Sequence, residues 1–330
     1  MEVSRRLFLN GLTAASASIP LLMAGCSPVS RNAMAIGMVV FPGYAPWQVA
    51  KTKGFFGHTE VTVQQIASIG DIRSAFLAGK LDAYVATFDI FESVEHGAPP
   101  GKLVLPLVSS NGGDGVVAAP GITAVADLKG KAIAGEKGLP PVFILEYLLN
   151  REGLSLKDVQ LSDMPSDQVP AAFLSGRYSA VGTYQPFLDR SIEQRPGSKI
   201  LATSKETPGL ITDFLITSEE VLSNKLDALV DVANGWFRAC RFIQSDADDA
   251  FKIMARAYSI KESEMRSFAS NVKWLMMSDD TSFLDKSKKR NAFRLFDEVG
   301  RILASNNPNI APVAAQDTID LRLMEKLRSS

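Results

Sequence analysis

The sequence predicts an α/β protein of two lobes, with mainly parallel sheets, a cleft between the lobes and a helical C-terminal part. Three observations carry this. Short apolar runs alternate with helical segments from about residue 35 to residue 217, the pattern of strand–helix–strand units. A Gly-rich break, Ser109-Ser110-Asn111-Gly112-Gly113-Asp114-Gly115, interrupts the pattern, which then restarts. Finally, Ala75-Phe76-Leu77-Ala78-Gly79-Lys80 returns 97 positions later as Ala172-Phe173-Leu174-Ser175-Gly176-Arg177. A chain of 330 residues also exceeds one typical core.

The N-terminus reads as an address rather than as fold. Ser4-Arg5-Arg6-Leu7-Phe8-Leu9 resembles a twin-arginine export signal, Arg5 and Arg6 being followed by an apolar region through Met23. Asn10 and Gly11 make that region too mild for a membrane span. Leu22-Met23-Ala24-Gly25-Cys26 looks like a lipoprotein processing site, in which the Cys26 thiol accepts the lipid. The expected organisation is a signal over residues 1–25, a lipidated tether over 26–33, a first lobe over 34–118 and a second over 119–207. Residues 208–330 return to the first lobe and add the C-terminal helices. The expected location is the periplasm, anchored through Cys26, or the outer face of the membrane where there is only one.

In the first lobe, residues 35–41 form an apolar strand, and the turn Pro42-Gly43-Tyr44-Ala45-Pro46 leads to a short helix ending at Gly54. Residues 60–66 alternate as a strand does, a helix covers 71–80, and the strand 82–86 ends in Thr87-Phe88-Asp89. The strand 103–108 runs into the Gly-rich break. In the second lobe, strands at 132–134, 159–162 and 179–183 alternate with helices at 140–151, 169–174 and 186–193. Residues 213–217 are the last strand. Everything after Ser218 reads as helical, with Leu226, Leu229, Val230, Ala233, Trp236, Phe237, Cys240 and Phe242 in one apolar stripe. Cys240 is therefore expected to be a buried core thiol.

The repeat makes the residues leaving two strands equivalent: Thr87-Phe88-Asp89 in one lobe and Tyr184-Gln185-Pro186 in the other. Ligands of open α/β sheets sit beyond the carboxyl ends of strands, so both groups should face the cleft. The candidate ligand-binding residues are Tyr44, Phe88, Asp89, Asn111, Gly113, Asp114, Glu136, Tyr184, Gln185 and Asp213. Asp114 is the one charge in a stretch whose glycines allow close approach, at the lip of the cleft.

Composition excludes several classes. Hydrophobic content of 46%, charged content of 22% and a net charge of −1 leave no nucleic-acid footprint. Cys26 and Cys240 make no disulfide framework, and His58 and His96 are too few for a His-rich metal site. No catalytic residue, metal or cofactor is expected.

Several segments together resemble the nitrate/sulfonate/taurine-type substrate-binding proteins of ABC transporters. They are residues 39–56, with the Pro-Gly-Tyr turn and Lys53-Gly54-Phe55-Phe56; Gly112-Gly113-Asp114-Gly115; Ala126-Asp127-Leu128-Lys129-Gly130-Lys131; Pro186-Phe187; and Thr207-Pro208-Gly209-Leu210. The likeness spans roughly residues 35–270. It implies a type II-like periplasmic-binding-protein fold, in which two α/β lobes joined by two crossing strands close on a small solute. It also implies a monomer that delivers its solute to a membrane permease driven by a cytoplasmic ATPase.

The solute is read from the residues. Gly135-Glu136-Lys137-Gly138-Leu139-Pro140-Pro141 is a poor anion cradle, because two prolines remove backbone donors and Glu136 adds negative charge. Asp89, Asp114, Glu136 and Asp213, with Tyr44, Phe88 and Tyr184 as ring walls, suit a nitrogen-containing amine, amidine or zwitterion. The alternatives are an anionic solute (sulfonate, taurine or nitrate), a solute sensor, or an enzyme. The enzyme would be of the pyrimidine-precursor synthase or menaquinone-pathway kind, without the Cys-rich iron-binding run of those synthases.

Overall fold

The computed structural model of the protein describes residues 32–94 and 101–329. Arg5, Arg6, Cys26 and His96 lie outside the described residues. Strands β1 (Ala33–Met38), β2 (Glu60–Gln65), β3 (Ala83–Thr87) and β4 (Lys102–Ser110) come first. They are followed by β5 (Asp114–Ala118), β6 (Ala132–Gly135), β7 (Gln160–Asp163), β8 (Ala180–Tyr184) and β9 (Lys199–Thr203). Last come β10 (Thr212–Thr217) and β11 (Val272–Trp274).

They form two sheets, a six-stranded one ordered β11-β4-β10-β3-β1-β2 and a five-stranded one ordered β7-β6-β8-β5-β9. The chain changes sheet between Ser110 and Asp114 and returns between Thr203 and Thr212. The sheets are less uniformly parallel than the sequence pattern suggests. The pairs β1–β2, β1–β3, β6–β7 and β6–β8 are parallel, because helices connect those strands. The pairs β3–β10, β4–β10, β5–β8 and β5–β9 are antiparallel, because crossing strands reach each sheet from the other lobe.

The two copies of the repeat match in structure. Helix Ile69–Leu77 precedes β3 and helix Val169–Leu174 precedes β8. Each turns through a left-handed glycine, Gly79 at φ +68° and Gly176 at φ +81°, a conformation that costs a residue with a Cβ. Helix starts are capped where the sequence offers a short polar side chain. Ser68 accepts from the Asp71 amide at 3.1 Å, Ser218 from Val221 at 3.1 Å and Asn291 from Arg294 at 3.1 Å.

One expectation fails in the C-terminal part, which is not wholly helical. Val272–Trp274 forms β11 and pairs antiparallel with β4, covering an edge that would otherwise present unpaired amides. Three residues are too few for a periodicity signal. Elsewhere the helical reading holds. In Leu226–Ser245 the stripe of Leu229, Ala233, Trp236, Phe237 and Cys240 is buried, Trp236 lying 4.9 Å from Trp47 between ring centroids. Burial pushes the Cys240 thiol pKa far up, leaving it inert.

The lobes share more than two strands. Helix Pro140–Arg151 of the second lobe is buried from Pro141 to Leu149. It packs on β5 and β8 on one side and on helices Phe88–Glu92 and Ala292–Asn306 on the other. Asn306 ties this junction, its Nδ2 donating to Glu146 at 3.0 Å and its Oδ1 accepting from the Leu156 amide at 3.0 Å.

The packing of helix Leu226–Ser245 on residues 47–56 gives a direct test. A Cβ on Gly235 would lie 2.4 Å from the Phe56 ring, which is itself buried against Trp47. Gly235→Ala should therefore destabilise the protein by about 1–3 kcal/mol, an overpacking cost. Differential scanning calorimetry would read this as a melting temperature lower by several degrees; an unchanged value would mean that the ring moves freely.

Candidate functional site

Each lobe brings an aspartate to the end of its crossing strand. Asp213 is the second residue of β10 and pairs across the ladder with Thr87, the last residue of β3. Asp114 opens β5 and pairs with Tyr184, the last residue of β8. Cross-strand partners in an antiparallel pair carry their side chains on one face. Thr87 therefore shares a face with Asp213, and Tyr184 with Asp114. Asp89 follows two residues after Thr87, in the first turn of the short helix Phe88–Glu92.

These acids are out of water. Asp89 is 3% exposed, Asp213 5% and Asp114 9%. Burial is the main reason each carboxyl titrates high, Asp89 and Asp213 at about 7 and Asp114 at about 6. Mutual repulsion adds to it, since Asp213 feels Asp114 and Asp89, and Asp89 feels Asp114. Among the described residues, no ion pair with Lys, Arg or His reaches any of the three.

Hydrogen bonds fix two of them. The Tyr44 hydroxyl donates to Asp213 at 2.6 Å, and its own pKa is held well above the ordinary value by burial and by that carboxylate. Asp114 ends a relay that runs through both crossings. The Gly112 amide donates to Ser204 Oγ at 2.7 Å, Ser204 and Ser110 hydroxyls are 2.7 Å apart, and Ser110 donates to Asp114 at 2.6 Å. Because the one Ser110 proton goes to Asp114, Ser204 is the donor to Ser110. This bond is what offsets part of the burial effect on Asp114. The third acid is less satisfied. Asp89 Oδ1 and the Thr87 hydroxyl are buried and make no well-formed hydrogen bond among the described residues, although Thr87 lies near enough to hold the Asp89 pKa down in part. Such groups cost about 1–3 kcal/mol each unless something fills the gap.

The other candidates divide. Tyr184 stands beside Asp114, its pKa raised by burial and then by Glu136 and Asp114. Glu136 is committed to a loop, accepting from the Ser166 amide and hydroxyl at 2.8 Å each. Asn111 is exposed and uses its amide on the Asn271 carbonyl at 2.9 Å. Gly113 accepts from the Gln185 amide at 2.8 Å, while the Gln185 side chain turns to Asp189 at 2.9 Å. Phe88 is a correction. It is fully buried and packs on Phe214 at 4.9 Å and Phe296 at 5.5 Å, so it is a core ring and no wall of the cleft. It follows the strand end directly as the first residue of the helix Phe88–Glu92.

Sequence reasoning missed Thr87, Ser110 and Ser204 as participants. Thr87 had a signal, since it sits at the repeat position of Tyr184. Ser204 had none beyond lying just before Thr207-Pro208-Gly209-Leu210. It also missed two buried acids near the junction of the lobes, Glu92 and Glu146, raised by burial to about 9 and about 8. A single acid inside an otherwise apolar helix, as Glu146 is, was the available sign.

Comparison with known proteins follows from this frame. The model of the NMT1-like family matches residues 27–258. The chain belongs to the NMT1-like family. A Brucella abortus protein named as a binding protein is 26% identical over 178 residues, covering 53% of this chain and 56% of that relative. The match thus spans little more than half of the curated relative's length. Among solved structures, the periplasmic aliphatic sulphonate binding protein SsuA of Escherichia coli superposes with a TM-score of 0.70 at 17% identity, over 88% of this chain and 92% of that one. The ligand-binding component of an ABC-type import system from Staphylococcus aureus gives 0.66 at 14% identity, over 91% and 100%. These likenesses establish the periplasmic-binding-protein fold for this member of the family.

The raised carboxyl pKa values make stability depend on pH in a definite direction. Ordinary aspartates titrate near 3.8, so between about pH 4 and pH 7 the folded protein holds protons that the unfolded chain has lost. Stability is then full below pH 4 and falls as pH rises through 6 and 7. Without solute, the melting temperature should drop from pH 5.5 to pH 8, and Asp89→Asn or Asp213→Asn should flatten the drop. A melting temperature that rises with pH in both variants and wild type alike would contradict the buried, unpaired state of these acids.

Proposed function

We propose that the protein is the solute-binding component of an ABC importer and that it captures a small nitrogen-containing solute, an amine, amidine or zwitterion. The observation that carries the reading is the group Asp89, Asp114 and Asp213, all buried and reached by no ion pair among the described residues. A buried charge without a partner is costly, and a ligand ammonium or amidinium removes that cost while forming charge-assisted hydrogen bonds. The fold and the binding-protein name of the curated relative support capture over catalysis. The solute enters with the lobes apart and is enclosed as they close, because the closed arrangement surrounds it with acceptors from both. The N-terminal signal and Cys26 support a periplasmic, lipid-anchored location, and no described helix is long and apolar enough to cross a membrane.

A second reading is an anionic solute such as a sulfonate or taurine. It is favoured by the likeness to a protein whose name specifies aliphatic sulphonate binding. Lys205 follows Ser204 and lies over Gly112 at the first crossing, and Lys137 stands in the loop after β6. Lys137 is exposed, and the Asp163 carboxylate already accepts from its amide at 2.9 Å.

A thermal-shift series with amines, amidines, amino acids, sulfonates and nitrate at pH 8 separates the two. Cationic or zwitterionic compounds should raise the melting temperature by mass action, and Asp114→Ala should remove the shift. A shift with sulfonates or nitrate alone would establish the second reading in place of the first.

A further inference from the structure

The acidic site is duplicated. Thr87 and Tyr184 occupy the same position of the internal repeat, 97 residues apart, each as the last residue of its strand. Each pairs across an antiparallel ladder with an aspartate of a crossing strand, Thr87 with Asp213 and Tyr184 with Asp114. The two lobes therefore present the same device, a hydroxyl beside a carboxylate, from opposite sides of one cleft. Nothing in the repeat alone requires this, because the aspartates come from strands outside it.

The two devices are chemically alike, and among the described residues no ion pair reaches either. On the first lobe, Asp213 pairs with Thr87 and feels the Asp89 carboxyl, and Asp89 Oδ1 and the Thr87 hydroxyl are buried near each other without a well-formed hydrogen bond. An ammonium has three N–H donors and no acceptor, so three acceptors are what it needs. On the second lobe, Asp114 and Tyr184 stand together, with Asp114 held in place through Ser110 and Ser204. One cation would leave one of the two aspartates buried and unpaired. Asp213 pairs on β4 with Val108, two residues before Ser110 and on the same face, and Ser110 donates to Asp114 at 2.6 Å, so the two carboxylates are neighbours and a single short solute spans both.

We propose that the solute carries two positively charged nitrogen centres, one for the Thr87–Asp213–Asp89 group and one for the Asp114–Tyr184 group, as an α,ω-diamine does. This rests on the cationic reading of the cleft and narrows it. Each lobe holds one end, so the solute itself bridges the lobes and its length selects the closed state. Joining two weak contacts in one molecule multiplies their affinity, provided that the spacing fits.

Isothermal titration calorimetry at pH 8 tests this with α,ω-diamines of increasing chain length, alkylamines of the same lengths, the corresponding ω-amino acids, and alkylsulfonates. The best diamine should bind about 100-fold or more tightly than its monoamine, with a sharp optimum in length. Asp213→Asn and Asp114→Asn, nearly isosteric changes, should each abolish that preference, with circular dichroism showing an unchanged fold. Monoamines binding as well as diamines would overturn the two-centre proposal and leave the cationic reading standing. So would ω-amino acids binding better than diamines, since one end would then be anionic. Binding of alkylsulfonates with no amine bound would overturn both.

Discussion

Three carboxylates held out of water at the meeting point of two lobes, with no ion pair reaching them among the described residues, are the constraint on which the candidate site depends. Burial raises Asp114 to about 6 and Asp89 and Asp213 to about 7, with repulsion from neighbouring carboxylates adding to the last two. A fold that only needed stability would replace such residues with apolar ones, since buried unpaired charge is a net cost. Here the surrounding structure supports them instead. Tyr44 reaches from the first turn to hold Asp213, and two serines from the two crossings hold Asp114. The arrangement makes sense if the missing positive charge arrives with a solute.

The same residues tie the two crossings together. Ser110 and Gly112 belong to the first crossing and Ser204 to the start of the second, so the relay that orients Asp114 runs from one crossing to the other. The buried helix Pro140–Arg151 and the Asn306 bridge set the other side of the junction, where apolar contact joins the lobes outside the cleft. Movement of one lobe against the other would therefore alter both the position of the Asp114 carboxylate and a packed apolar seam. That coupling is what a closing binding protein requires, because solute and closure must favour each other.

Much of the fold was legible because it rests on local patterns. The alternation of apolar runs and helices, the Gly79 and Gly176 turns and the apolar stripe through Trp236 each depend on neighbours within a few residues. The helix from Pro140 to Arg151 was read to its ends because Pro140 opens it and the apolar run fills it. β11 was not legible, since three residues carry no period and Val272–Trp274 is a strand only because the β4 edge lies beside it. Phe88 was misplaced for a similar reason. Its position at a strand end pointed to the cleft, but the side chain follows the helix it starts and enters a cluster of rings.

By itself the sequence determined the acids, the aromatic hydroxyls and the repeat that makes Thr87 equivalent to Tyr184. It also determined the glycines that let the chain pass between lobes. Only the tertiary structure decided which acids meet. It set Asp213 opposite Thr87 and Asp114 opposite Tyr184 through ladder registers formed by strands far apart in the chain. It bonded Glu136 to Ser166 while keeping it near Tyr184, and it recruited Ser204 across 94 residues to hold Ser110. Register and long-range hydrogen bonds have no local signature, whereas periodicity, turns and charge do. The elements of the site are therefore written in the chain, and their convergence belongs to the fold.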